Sequence, residues 1–147
     1  MRKIMFVCTG NTCRSPMAEY ILKDLLKKSG VEDIKVSSAG LSCEEEGINP
    51  KAKAALKNLG ITVRRYKTHT ATADLCRKQN AVICMTEAHK NRFVGFDNVY
   101  TINELTGSGD IPDPYGLEQT AYDECAKALL SACTKIKDLL TREAKTE

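Results

Sequence analysis

Apolar residues change their spacing along the chain, and each change marks a predicted element. Residues 3–7, KIMFV, form a short unbroken run of the kind that builds a strand covered on both faces. From Pro16 to Ser29 the residues Met17, Ala18, Ile21, Leu22, Leu25 and Leu26 fall on one helical stripe, and Gly30 stands where a C-terminal cap glycine belongs. Residues 33–40, DIKVSSAG, read as a second strand, which Ser37 and Ser38 make a polar one. Pro50 opens a second helix carrying Ala52, Ala55, Leu56 and Leu59, closed by Gly60. AVICM at 81–85 predicts a third buried strand followed by a helix through Phe93, and NVYTI at 98–102 a fourth strand. A loop rich in Gly, Asp and Pro covers 106–116. A long helix then runs over 117–141, burying Ala121, Cys125, Leu129, Ala132, Ile136 and Leu140.

Strands that alternate with helices predict an α/β, three-layer fold with a central four-stranded parallel sheet flanked by helices. Ligands in such sheets sit beyond the carboxyl ends of the strands, and Cys8 follows the first strand at such an end. The 147 residues predict a single domain over 1–147, without repeats or low-complexity tracts.

Composition narrows the function classes. A net charge of +3 and few aromatic residues argue against nucleic acid as a partner. No run of 18 apolar residues is present to span a membrane, and the N-terminal apolar run is too short for a signal-peptide core. Seven cysteines without paired spacing predict the reduced thiols of a cytoplasmic protein. With only His69 and His89 and no C-x2-C pair, no metal and no other cofactor is expected.

The stretch CTGNTCRSP, residues 8–16, carries the candidate chemistry. A helix N-terminus offers unpaired amides and partial positive charge, and so holds an anion. Ser15 is expected at the N-cap with Pro16 at N1, and Gly10 and Asn11 are the residue types that tolerate left-handed backbone angles, so that successive N–H groups turn inward around phosphate. Thr9, Gly10, Asn11, Thr12, Cys13, Arg14 and Ser15 therefore form a candidate phosphate-binding loop after the first strand. Arg14 brings a planar fork for two phosphate oxygens. The same field favours thiolate, the nucleophilic form of cysteine, at Cys8, and Ser15 is placed to donate a hydrogen bond to the sulfur. The bare C-x5-R spacing is weak; the strand before it, Gly-Asn within it and Ser-Pro after it give it force. The nucleotide phosphate loop G-x4-G-K-[ST] is absent. Downstream, DIPDPYG holds Asp113 between two prolines that stiffen the loop, a suitable mount for a general acid, with Asp110 as the other candidate.

These residues resemble the low-molecular-weight protein tyrosine phosphatase superfamily, whose signature C-x-G-N-x-C-R-S-P is matched by Cys8, Gly10, Asn11, Cys13, Arg14, Ser15 and Pro16. The likeness extends into MAE (17–19) and returns at SAG (38–40), CMTEAHK (84–90) and DPYG (113–116). It implies Cys8 as nucleophile, Arg14 as phosphate clamp, Asn11 and Ser15 as loop-shaping residues, Asp113 as general acid and phosphorylated proteins as substrates. It also implies that Cys13 is a redox partner of Cys8; filling the underside of the loop is the plainer role for the same residue. The remaining cysteines read as packing thiols. Relatives often carry a histidine five residues after the glycine that ends the second helix, where Arg65 stands here. The sequence carries no signature of oligomeric state.

Thr12 bears on the substrate. Tyrosine-specific members usually carry an aliphatic residue there, whereas CTGNTCRS is similar to the bacterial protein arginine phosphatase branch, as is TGSGD at 106–110. A hydroxyl at that position can hydrogen-bond a guanidinium; an aliphatic side chain presents apolar surface to a phenyl ring. Tyr115 offers an aromatic wall that suits phosphotyrosine and equally a flat guanidinium. The expectation is a phosphatase acting through a phosphocysteine intermediate, with phosphoarginine favoured over phosphotyrosine. Its alternatives are a thiol-dependent arsenate reductase, which needs further redox cysteines after the third strand, and a phosphate-binding module without catalysis. The basic cluster VRRYK at 63–67 either steers acidic or phosphorylated surfaces or is a solvated face.

Overall fold

The computed structural model describes residues 2–146. Its elements are β1 (Arg2–Cys8), α1 (Arg14–Lys28), β2 (Ile34–Gly40), α2 (Pro50–Asn58), α3 (Ala73–Arg77), β3 (Ala81–Cys84), α4 (Glu87–Lys90), β4 (Val99–Thr101), α5 (Ile102–Thr106) and α6 (Gln119–Thr146). The four strands make one parallel sheet in the order β2-β1-β3-β4. The chain leaves β1 toward one edge and comes back on the other side of β1, so the order reverses between β1 and β3. That reversal opens a crevice at the carboxyl end of β1, where Cys8 is registered against Gly40 of β2.

The unbroken apolar run of β1 has a simple origin. Ile4, Phe6 and Cys8 face a core built with α1, α2 and α6, while Met5 and Val7 face a second cluster with Ala39, Cys76, Val82, Cys84 and Val99. Both faces are covered, so no position is left for a polar residue. Cys8 thereby points to the α1 side. Both α1 and α2 end as expected: Gly30 (φ 72°) and Gly60 (φ 83°) take left-handed angles. The next amides, of Val31 and Ile61, bond back to Leu26 and Leu56.

Several boundaries differ from expectation. Helix α1 begins at Arg14 with Cys13 as N-cap and no side-chain cap, so Ser15 and Pro16 lie inside the first turn; the hydroxyl of Ser15 is engaged elsewhere. Only Asn11, at φ 57°, is left-handed in the loop, and Gly10 is not. The fourth strand stops at Thr101 because the Thr101 hydroxyl and Glu104 form a reciprocal capping box that starts α5. The short α3 carries one buried side chain, Cys76, and leaves no periodic signal. The helix after β3 ends at Lys90 rather than continuing to Phe93. On α6, Tyr122 is buried where Ala121 was expected, and Ala121 and Leu140 are half-buried; Cys125, Leu129, Ala132 and Ile136 face the core.

Candidate active site

Residues 8–15 curl from the end of β1 into α1, and several of their carbonyls are turned away from the inside of the loop. Those of Thr9, Thr12 and Cys13 accept bonds from the amides of Ser42, Asn49 and Met17. A trans peptide sets the next N–H opposite to its carbonyl, and no cis bond is present among the described residues. The N–H groups of Gly10, Cys13 and Arg14 therefore face the inside of the loop, as an anion nest requires.

Asn11 holds this shape. Its Nδ2 donates to Ser15 Oγ at 2.8 Å and Ser38 Oγ at 3.0 Å, and its Oδ1 accepts from Tyr66 OH at 2.8 Å and His69 N at 2.9 Å. All four bonding capacities of a fully buried amide are thus filled. Since Ser15 Oγ accepts from Asn11, its one proton is free for the Cys8 sulfur at 2.9 Å, a far better fit than the Ala39 carbonyl at 3.4 Å. Behind Asn11, Ser38 donates to Glu19 at 2.6 Å and touches the Tyr66 hydroxyl. Burial pushes the Tyr66 phenol upward, which keeps it a donor. Tyr66 and the backbone of His69 thus hold the loop, and the Arg65 side chain, at the offset where the resemblance led us to expect a histidine, has no part in it.

Gly40 is required by contact. A Cβ there would stand 2.8 Å from Cys43 Sγ and 2.9 Å from both Asn11 Cβ and Asn11 N. Gly40→Ala is therefore expected to push Asn11 out of place, at a cost of about 1–3 kcal/mol in stability together with most of the activity, read by thermal melting and phosphatase rate. A melting temperature and rate equal to wild type would show that the loop has slack.

Arg14 is 5% exposed. Its guanidinium donates to the Ile111 carbonyl at 3.1 Å and Thr9 Oγ1 at 3.4 Å, and lies 3.6 Å from Asp113 Oδ2. Asp113 is half exposed, and its Oδ1 accepts from the Tyr115 amide at 3.1 Å. Asp110 instead accepts from the Glu87 amide and takes no part in lining the cavity. Thr9 is steadied in turn by His89 Nε2 at 2.9 Å, while His89 Nδ1 is buried without a partner. Burial, then the Arg14 cation, push this imidazole from the ordinary 6.5 to about 4, against the upward pull of Asp113 and Asp110. The unfolded chain takes up this proton near pH 6.5 and the folded protein only near 4. Stability is therefore full above 6.5 and falls as pH drops from 6.5 to 4, by on the order of 3 kcal/mol for this group. Urea unfolding of wild type and His89→Gln at several pH values measures it, and the variant is expected to lack that share of the slope.

The cavity has a volume of about 220 Å³. Cys8, Thr9, Gly10, Thr12, Cys13 and Arg14 form its base and sides, and Ser42, Glu44, Glu45, Asp113 and Tyr115 complete its lining. Of the expected loop residues, Asn11 and Ser15 stand behind it. Tyr115, held by a 2.7 Å bond to Glu45, forms part of one wall. Cys13 lies beside Thr12 and Tyr122, and its burial raises its pKa. Cys84 is fully buried in β3 and pushed up to about 12 by burial, which is unsuited to a redox relay. Sequence reasoning missed Glu19, Ser38, Tyr66, His89, Glu44 and Glu45; only the polar serines of β2 hinted at the network. Among the described residues, no three His, Cys, Asp or Glu side chains are grouped to hold a metal ion, and no helix is long and apolar enough to cross a membrane.

A thiol, a held guanidinium, loop amides and a carboxylate lie around one hollow, the groups that cysteine-dependent phosphate chemistry employs. The family profile for low molecular weight phosphotyrosine protein phosphatases matches residues 3–146, and the chain belongs to that family. Among its relatives is a protein-arginine-phosphatase of Bacillus subtilis, 39% identical over 146 residues, covering 91% of this chain and 96% of the relative. The low molecular weight protein-tyrosine-phosphatase PtpB of Staphylococcus aureus is 30% identical over 143 residues, covering 94% and 99%. A solved YwlE arginine phosphatase, a cysteine-to-serine mutant with a phosphorylated active-site serine, superposes with a TM-score of 0.89 at 33% identity, covering 99% of each chain. The protein is an enzyme of this type, a low molecular weight protein phosphatase.

Proposed function

We propose that the enzyme hydrolyses phosphoarginine in proteins. The Cys8 thiolate attacks phosphorus in line, forming the S–P bond as the P–N bond breaks; Arg14 and the loop amides hold the equatorial oxygens. Asp113 gives its proton to the departing guanidine nitrogen. Asp113 then takes a proton from water, whose oxygen attacks the phosphocysteine and releases inorganic phosphate and the Cys8 thiolate. The phosphorylated serine in the YwlE variant supports transfer to the side chain at this position.

One observation carries the choice of substrate: three carboxylates, Glu44, Glu45 and Asp113, line the cavity outside the phosphate loop. A guanidinium leaving group is cationic once protonated, and such a lining attracts it; a neutral phenol gains nothing from it. The half-buried hydrophobic wall that a phenyl ring needs is reduced to Tyr115, which is 54% exposed, and Thr12 places a hydroxyl where an aliphatic contact would serve a ring. The relation to a protein-arginine-phosphatase points the same way.

Hydrolysis of a phosphoarginine peptide and a phosphotyrosine peptide, by wild type and by Thr12→Ile, tests the proposal. Wild type should favour phosphoarginine in kcat/KM, and Thr12→Ile should shift the ratio toward phosphotyrosine by about tenfold. A wild-type preference for phosphotyrosine would reject the substrate while leaving the phosphatase chemistry intact.

A further inference from the structure

A second concavity, of about 440 Å³, lies along β2 and the segment 65–69 and shares no lining residue with the catalytic cavity. Lys3, Lys23, Lys35, Arg65, Lys67 and Lys78 line it, with Glu19 as its one carboxylate. Six cations against one carboxylate leave +5 in this groove, more than the +3 of the whole chain, so the rest of the protein is net negative. Glu19 is already paired with Lys23. Lys3, Lys35, Arg65, Lys67 and Lys78 have no carboxylate within ion-pair distance among the described residues. Uncompensated cations gathered in one hollow repel one another and focus a positive potential that a multivalent anion relieves.

The geometry points to a binding site for a chain of linked phosphates, carried either by a nucleotide or by inorganic polyphosphate. Lysines serve phosphate as point charges and Arg65 as a fork, and Ser37 adds a hydroxyl to the lining. A triphosphate packs three or four charges into roughly 8 Å. An acidic peptide laid along the edge strand β2 turns alternate side chains away and presents one charge per roughly 7 Å, so it matches this charge density poorly. The lining also includes Glu19, Ser38 and Tyr66, the residues that brace Asn11, so an occupant lies against the outer side of the phosphate-loop scaffold. The site does not depend on the choice of phosphorylated substrate.

Calorimetric titration in about 0.15 M salt tests it, with inorganic triphosphate, ATP and a hexaglutamate peptide as probes. Arg14→Ala disables the catalytic cavity, and Lys35→Glu/Lys78→Glu disables the groove. Triphosphate should bind wild type and Arg14→Ala within about twofold of each other and bind the double variant at least about tenfold more weakly. A neutral Lys78→Gln variant, which keeps the fold undisturbed, should show a smaller loss in the same direction. ATP binding tighter than triphosphate assigns the site to nucleotides; equal or weaker binding assigns it to inorganic polyphosphate. No binding to wild type, binding abolished by Arg14→Ala but kept by the double variant, or tighter binding of hexaglutamate would each overturn the inference.

Discussion

Cys8→Ser should lose turnover by at least about 10⁴-fold while still binding inorganic phosphate. A serine hydroxyl is a far weaker nucleophile than a thiolate, and once phosphorylated its alkoxide leaves far less readily, so both formation and hydrolysis of the phosphoenzyme slow. The group 2.9 Å from the sulfur is the Ser15 hydroxyl, whose proton is free to be donated there while its oxygen accepts from Asn11, and a hydroxyl is no general base. His89 is turned to Thr9, and Asp113 lies beside Arg14. Phosphate binding should persist because the Arg14 clamp and the inward amides are untouched. Single-turnover kinetics and calorimetry with phosphate separate the two effects. A serine variant that keeps more than about a tenth of the wild-type rate would remove Cys8 from the chemistry.

Asp113→Asn should lower kcat for phosphoarginine by about 10²–10⁴-fold with little change in KM. Asparagine preserves the shape of the loop and the acceptor for the Tyr115 amide but has no proton to give a leaving nitrogen. The carboxylate also lies 3.6 Å from the Arg14 guanidinium, so its removal strips a competing negative charge from the phosphate clamp. Ground-state phosphate binding should therefore hold steady or tighten, and the loss should fall on the chemical step. A substrate with a good leaving group, such as para-nitrophenyl phosphate, should suffer much less, because a departing nitrophenolate needs no proton. Equal losses on both substrates would assign Asp113 to phosphate positioning instead of proton transfer.

Glu19, Ser38, Tyr66 and His89 were illegible for a common reason. Ser38, Tyr66 and His89 lie far from the loop along the chain, and Glu19, only four residues past it, bears on Asn11 through Ser38; the sheet brings Ser38 of β2 beside Asn11, and the segment after α2 brings Tyr66. The offset that marks a supporting histidine in relatives held Arg65, and no local rule selects its neighbour instead. Asp113 is set apart from Asp110 in the sequence by the two prolines that flank it, a frame Asp110 lacks, and the cavity is lined by Asp113 while Asp110 accepts from the Glu87 amide. The helix start was misplaced because Ser-Pro is a common N-terminal signal, whereas the Ser15 hydroxyl is drawn to sulfur and Asn11.

Local chemistry in the chain determined the parallel α/β sheet, the phosphate loop after its first strand, and the pairing of Cys8 with Arg14, because hydrophobic period, turn residues and a contiguous loop all act within a few residues. Tertiary structure alone decided how Ser38, Glu19, Tyr66 and the His69 backbone brace Asn11, and the gathering of acidic groups around the catalytic hollow and basic groups in a separate groove. Those outcomes depend on contacts between segments tens of residues apart, and the sheet order, with its reversal beside β1, sets them.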